Sequence, residues 1–483
     1  MDLMQSGAIY RRFSKLSVFC AGIALLHSSQ LLAASDSLVT ASHISSSGLA
    51  QQQDLPSLTG EVTEPALAHV PDTLTINQAV QRAIQWHPDI AEAIGNMLEQ
   101  NNQVDVAKAK YYPQVSAGMN NGYSNAYVEK GFSPSFVLSV SQMLYDFGKV
   151  SSSVRSAEAG VAEGQANILV SIDTVAHDTA AALVEVQGYQ ELVKIAQQQL
   201  TALSKIGDLA RQRNDEGAAS LSDATQTDAR IEGARSTLIQ YQASLDRWRA
   251  TLATYLGWPN VNNVSENFPV NLTRSCQVGK ADDTLNPSVL AAWAQANQAR
   301  AKLDNANAQM LPTVSLEPQV THYLNDNYSG SQQLDRTQYS AFVKVEMPLY
   351  QGGATTATRD AAANALNAAN AAVNSARLKA RQQLSESQTE AQSLSRSLAI
   401  QSRQQQLGEK TQQLYQDQYL QLGTRPLLDV LNAEQEVFQT RFTLQQTISQ
   451  LRSLQLDCLY SSGQIRSAFA LNNQRIQSVE IQP

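Results

Sequence analysis

Between Ala166 and Leu203 the chain reads ANILVSIDTVAHDTAAALVEVQGYQELVKIAQQQLTAL. Ile168, Ile172, Val175, Thr179, Ala182, Val186, Tyr189, Val193, Ala196, Leu200 and Leu203 fall four and three residues apart in turn. That spacing lays one stripe along a helix, and a stripe sustained this long demands a partner helix packed against it. No proline interrupts Lys149 to Glu216, so a single helix there would run roughly 100 Å at 1.5 Å per residue. An ordinary globular domain has no use for such a rod. Ile231, Ala234, Leu238, Tyr241, Leu245, Trp248 and Leu252 carry the same spacing into a following helix. Ala and Thr in the seam permit close approach, and Gln, Asn and Ser on the other faces suit water.

The same plan is written twice. His87-Pro88-Asp89-Ile90 returns as Asn286-Pro287-Ser288-Val289, and Pro113-Gln114-Val115-Ser116 as Pro312-Thr313-Val314-Ser315. Leu144-Tyr145-Asp146-Phe147-Gly148 returns as Leu349-Tyr350-Gln351-Gly352-Gly353. Gly217 through Asp223 matches Gly423 through Asp429, and Gly257 matches Gly463. Matches kept in one order at an offset of about 200 residues mark a duplicated structural unit. Each copy reads as helix, two strands, long helix, turn, long helix. Val437, Thr440, Leu444, Thr447, Leu451, Leu454 and Cys458 are the second copy's seam.

The strands show period-two alternation: Val115, Ala117 and Met119; Phe136, Leu138 and Val140; Val314, Leu316 and Val320; and Tyr339, Ala341, Val343, Val345, Met347 and Leu349. Lys344 and Glu346 fall on the opposite face of the last strand, with Tyr339 and Tyr350 toward its two ends. Runs of about ten residues with charge on one face are the weak signature of a membrane barrel with a wet lumen; on alternation alone a soluble hairpin half-covered by a helix fits better. Asn120 to Ala126 and Asn325 to Ser331 have loop composition. Four strands cannot close a barrel, which needs about eight, and lipid does not tolerate open edges. If the strands meet a membrane, several copies must share one barrel.

Arg11, Arg12 and Lys15 precede an apolar run from Leu16 to Leu26, and Leu32-Ala33-Ala34-Ser35 offers small residues at a cut site. This is the order of a secretory signal peptide; the run is short of the ~20 residues a membrane anchor needs, and Cys20 sits too early in it, after Phe19, to suggest lipidation. Residues 35–73 read as a flexible extension, 74–256 as the first repeat, 257–285 as a linker, 286–471 as the second repeat and 472–483 as a tail. Past the signal no run of about 18 apolar residues would span a bilayer as a helix. Cys276 and Cys458 remain in the exported chain; in an oxidising compartment they either pair or stand as separate buried thiols. The 483 residues allow about three ordinary domains. Only 16% are charged, against about 25% in typical soluble domains. A net charge of −8 argues against nucleic-acid binding.

Signal, duplicated strand-pair and helix-pair unit, and acidic balance together resemble the TolC family of outer-membrane channel-tunnel proteins, from roughly Leu74 to Leu471. The most specific stretch is Leu422-Gly423-Thr424-Arg425-Pro426-Leu427-Leu428-Asp429-Val430-Leu431-Asn432-Ala433, which is similar to the family's Gly-Thr-Arg tip followed by Asp-Val-Leu. Leu349 to Gly353 resembles a barrel strand entering a long helix, and Asn286-Pro287 and His87-Pro88 the Asn-Pro early in each repeat. The resemblance implies an α+β fold: a long α-helical coiled-coil barrel continued by a trimeric 12-stranded transmembrane β-barrel, with four strands per chain and two internal structural repeats. The 257–285 segment becomes part of an equatorial belt.

At the entrance the resemblance implies an acidic selectivity ring of Asp429, as charged rings act in channels; Asn432 stands where the family often has a second aspartate. The dipole at a helix start also favours a carboxylate at Asp429. Arg425 is implied as a latch bonding Ser222 and Asp223 on the neighbouring helix pair. Leu420 occupies the family's tyrosine position, with Tyr419 adjacent. Gly217, Gly423 and Thr424 form the tip turns and adaptor contacts, and Lys344 and Glu346 face the barrel lumen.

No His-Glu-x-x-His, Gly-x-Ser-x-Gly, phosphate-binding glycine loop or Cys-x-x-Cys occurs. His177-Asp178 reads as helix surface and His87-Pro88-Asp89 as a helix boundary. No enzyme, metal or cofactor is expected. The implied function is the exit duct of a type I secretion system, a homotrimer in outer-membrane lipid passing an unfolded polypeptide, such as an adhesin or toxin, from an inner-membrane ABC transporter through a periplasmic adaptor. The alternatives are a multidrug efflux channel, served by a proton-driven pump, and a non-conducting periplasmic coiled-coil scaffold.

Overall fold

The computed structural model describes residues 71–125, 130–132, 134–277, 285–324, 335–477 and 479–481. The expected signal peptide, nearly all of the 35–73 extension and the Asn325–Ser331 loop lie outside the described residues.

The duplication is plain in the elements. In the first copy α1 (Ile76–Trp86) and α2 (Pro88–Ala109) lead through β2 (Gln114–Asn120) and β5 (Ser135–Tyr145) into α3 (Lys149–Asp215) and α4 (Leu221–Leu256). A small antiparallel pair, β3 (Tyr123–Asn125) with β4 (Lys130–Phe132), extends the connection between β2 and β5. The second copy runs α6 (Pro287–Ala308), β7 (Thr313–Tyr323), β8 (Thr337–Glu346), α7 (Ala354–Asp417) and α8 (Leu427–Ser461). Corresponding helices have 22 and 22, 67 and 64, and 36 and 35 residues.

Local chemistry starts each element at the same place. His87 and Asn286 cap α2 and α6 by accepting from Asp89 N and Ser288 N, with proline at the first helical position. Asp146 then turns β5 into α3, its carboxylate accepting from Gly148 N at 3.0 Å and Val150 N at 2.6 Å. Phe147 and Gly148 both take positive φ there, and Gly352 and Gly353 do the same before α7. The second copy thus uses a second glycine where the first uses a carboxylate to hold a strained phenylalanine.

In the α3 seam Ile168, Ile172, Val175, Thr179, Ala182, Val186, Ala196 and Leu203 are buried. Around its middle, however, α3 is buried on further faces: Leu183, Val184 and Gln187 are also enclosed. The reason is a belt of short elements packed there. β1 (Thr73–Leu74) pairs in parallel with β6 (Asn263–Val264); α5 (Val270–Thr273), a 3-10 turn (Ser275–Gln277), α9 (Ile465–Ala468) and the hairpin of β9 (Arg475–Ile476) and β10 (Val479–Glu480) complete it. Leu74, Ile84, Ile172, Leu183, Leu252, Leu256, Leu272, Leu456, Ile465, Ile476 and Ile481 form one continuous core. Residues near the carboxyl end, Ile476 and Ile481, are packed in it.

Two further ties cross the belt. Cys276 in the 3-10 turn and Cys458 in α8 are joined by a disulfide, with Cα atoms 5.3 Å apart. Asp173 of α3 pairs with Arg466 of α9 at 2.8 Å, and Arg466 also donates to the Leu285 carbonyl at 3.1 Å. Burial pushes the Asp173 carboxyl up to about 7 in spite of the adjacent guanidinium.

β2, β5, β7 and β8 form one antiparallel four-stranded sheet in that order. The last strand ends at Glu346, short of Tyr350, because Pro348 has no N–H to continue the ladder; Tyr350 therefore lies in the connection to α7 rather than at the strand's end.

Candidate functional site

The register sorts the sheet into two unlike faces. Val115, Ala117 and Met119 oppose Val140, Leu138 and Phe136; Leu138 opposes Val320, which opposes Tyr339. Ala341, Val343 and Val345 continue this apolar face. It is uncovered: Val115 is 66% exposed, Met119 70% and Tyr339 77%. The other face holds Ser116, Ser139, Ser315, Glu317, Gln319, Lys344 and Glu346, with Val137, Met143 and Phe342 as apolar intruders, while His322, opposite Phe136, is a polar exception on the apolar face. Lys344 reaches Glu346 at 2.7 Å and Glu317 at 3.8 Å, Ser315 donates to Glu317 at 3.0 Å, and Ser116 meets Ser139 at 2.7 Å. A soluble hairpin would bury its apolar face. This sheet instead exposes its apolar face and collects its ions on the polar one, as a barrel wall between lipid and water requires. Among the described residues, strands β2 and β8 are the unpaired edges of this sheet.

The far ends of the long helices carry the other expected residues. Gly217 (φ +71°) and Gly423 (φ +61°) take the left-handed conformation that ends α3 and the second hairpin's first arm, and a side chain on either would point into open space. In the first tip Ser220 caps α4, exchanging bonds with Asp223 in a capping box, and Ser222 bonds Ser220 at 2.7 Å. In the second, α7 loosens into a π-turn, Gln418–Leu422, before Gly423, and Thr424 N bonds back to the Gln418 carbonyl at 3.3 Å.

Arg425 is held by its own hairpin. It donates to Gln418 Oε1 at 3.1 Å, pairs with Asp429 at 3.1 Å and lies over the Tyr415 ring at 4.1 Å. The protomer therefore brings Arg425 to Asp429 and not to Ser222 or Asp223, whose polar atoms serve the α4 cap. Asn432 instead accepts from Arg230 of α4 at 3.4 Å. Tyr419 is buried beneath Arg213 at 4.5 Å, wedging the two tips together, so the aromatic beside Arg425 is Tyr415, one turn earlier. Leu221, Leu420, Leu422 and Leu428 stand exposed at the tips.

Two charged residues differ from the sequence reading: His177, expected at the helix surface, and Glu434, which it did not single out. His177 does not lie on an open surface: it bridges Asp178 at 2.8 Å and Asp457 of α8 at 2.7 Å, against the Tyr460 ring. Burial opposes its charge, but the bonds to the two carboxylates outweigh that and hold the imidazolium up to about 9. Glu434, one residue past the tip motif, is fully buried in α8, where Gln412 and Gln416 of α7 both donate to its Oε2. Burial pushes its carboxyl up, against the opposing effect of the two amides. The signal available was an acidic residue within the apolar spacing of α8, at a position between Leu431 and Val437.

The family model for outer membrane efflux proteins matches residues 79–258 and 284–456. Outer membrane efflux protein BepC of Brucella suis is 24% identical over 398 residues, covering 77% of this chain and 81% of its own. The probable efflux pump outer membrane protein TtgC of Pseudomonas putida is 24% identical over 306 residues, covering 59% and 61%. Among solved structures, the outer membrane protein VceC of Vibrio cholerae superposes with a TM-score of 0.70 at 18% identity, covering 80% of this chain and 96% of that one. With both repeats matched and the same fold found in a solved outer membrane protein, the chain belongs to the outer membrane efflux protein family, has the TolC-like fold and resides in the outer membrane.

Proposed function

We propose that three copies of this chain close their four-stranded sheets into one 12-stranded barrel and their helix pairs into a tunnel, forming a passive exit duct across the outer membrane. The two-faced sheet with two open edges carries this proposal. Lipid cannot accept unpaired edges, and pairing β8 of one copy with β2 of the next removes both, while keeping Lys344, Glu346 and Glu317 toward the lumen. A non-conducting scaffold would leave the apolar face without a role.

The tips receive the inner-membrane transporter through a periplasmic adaptor, with the exposed leucines around Gly217, Gly423 and Thr424 as the docking contacts. Asp429, already paired with Arg425, lines the entrance, and Asn432 contributes no charge there. Efflux is the role that the names of BepC and TtgC carry, and it supports a drug as the cargo; export of an unfolded polypeptide by a type I system is the other arm of the test. The purified protein, reconstituted in a planar bilayer, conducts ions as a trimer; a monomer without conductance refutes the duct. Deleting the gene raises drug susceptibility if efflux is the role, and removes a protein from the secreted proteome if polypeptide export is.

A further inference from the structure

A cavity of about 550 Å³ lies between α3 and the α7–α8 pair, with Ala202, Ile206 and Leu209 on one side and Tyr419, Val430 and Glu434 on the other. Transport does not call on it. Glu434 sits in α8 about two turns beyond Leu427, so the cavity is just inside the tips, where the two helix pairs meet.

Its chemistry is lopsided. Both glutamine amides donate to Glu434 Oε2, while Oε1 is buried without a hydrogen-bond partner among the described residues. Buried acceptors are nearly always paired, and one that is not calls for a donor. The nearby cations of the chain are engaged elsewhere: Arg441 holds Glu409 at 2.7 Å and 3.2 Å, and Lys194 holds Glu191 and Glu266, each at 3.1 Å. Lys205 lines the cavity from an exposed position on α3, where water screens it.

We propose that this cavity is a binding site for an organic ammonium, whose cationic nitrogen donates to Glu434 Oε1 and whose carbon body fills the space between Ile206, Leu209 and Val430. The volume is in the range of small-molecule pockets, which join apolar walls to a few polar anchors. A bare divalent ion does not suit it, since such ions take six or more oxygen ligands and the neighbours of Glu434 here present amide donors. A bound ammonium touches both helix pairs at once and ties them together near the entrance.

Calorimetric titration of the purified full-length protein in detergent, with empty micelles subtracted, tests the site with hexylammonium and with 1-hexanol, its neutral counterpart. Wild-type protein is expected to bind hexylammonium at least tenfold more tightly than hexanol, and Glu434→Gln to lose that preference. Ala202→Phe, which fills the cavity and keeps the carboxylate, is expected to weaken both ligands, and it serves alone if Glu434→Gln does not fold. Equal binding of the two compounds by wild type, no binding of either, or undiminished hexylammonium binding by either folded variant overturns the proposal. The titration needs no conducting pore, so its outcome is independent of the duct.

Discussion

Raising the pH through 9 releases the tie that His177 makes between α3 and α8. The ordinary histidine value near 6.5 applies to the unfolded chain, and the folded value is about 9. The stability from this group is therefore fully present below pH 6.5 and is lost as pH rises through 9. That difference corresponds to about 3.4 kcal/mol at 1.36 kcal/mol per tenfold change. Asp178 and Asp457 are 40% and 43% exposed, so water screens the pair, and about half of that, near 2 kcal/mol, is the expected contribution. Histidine NMR on nitrogen-15-labelled protein, with His177→Gln to assign the signal, reads the titration directly. Helical unfolding followed by circular dichroism reads the consequence: the wild-type denaturation midpoint is expected to fall between pH 7 and pH 10 by more than that of His177→Gln. A titration near 6.5, or the same pH dependence in both proteins, refutes the assignment.

Val343→Lys puts a charge on the exposed apolar face of β8; at a bilayer midplane this costs about 2–4 kcal/mol, so the heat-modifiable trimer is expected to disappear on gels, while Lys344→Gln on the opposite face keeps the trimer and changes ion selectivity. Cys458→Ser opens a link between residues 182 apart, for which chain entropy gives about 5 kcal/mol; a clearly lower guanidinium midpoint, reproduced by reducing the wild type, is expected. Arg425→Ser leaves the Asp429 carboxylate unpaired at the tip, so single-channel conductance and cation selectivity, read from reversal potentials in a KCl gradient, are expected to rise, and Asp429→Asn to lower selectivity.

The rods and the duplication were legible because they are written in local terms. Seam spacing from Ile168 to Leu203 needs only the 3.6-residue turn of a helix to be read, and strand alternation from Tyr339 to Val345 needs only the two-residue repeat of a strand. The matched starts at His87-Pro88 and Asn286-Pro287 announce themselves in capping chemistry. Alternation alone could not say whether Val343 meets lipid or a covering helix. Only the register, which aligns Met119, Leu138, Val320 and Tyr339 on one uncovered face, separates the two.

The tip shows why site residues were harder to read than the fold. Gly423, Thr424 and Arg425 lie next to one another in sequence, but a partner for Arg425 is chosen by how α7 ends. The π-turn at Gln418–Leu422 rotates the last residues of that helix, carrying Tyr419 beneath Arg213 and leaving Tyr415 for Arg425. One extra residue in a turn shifts every side chain after it by about 100°, and nothing in the composition of Gln418 to Leu422 signals that bulge. The same limit hid Glu434 and His177. Each has an ordinary place on its own helix, and each acquires its character from a second helix: Gln412 and Gln416 lie about 20 residues away, and Asp457 some 280. Charges that bind across packed helices leave no period to read, because the period belongs to the helix and the pairing belongs to the packing.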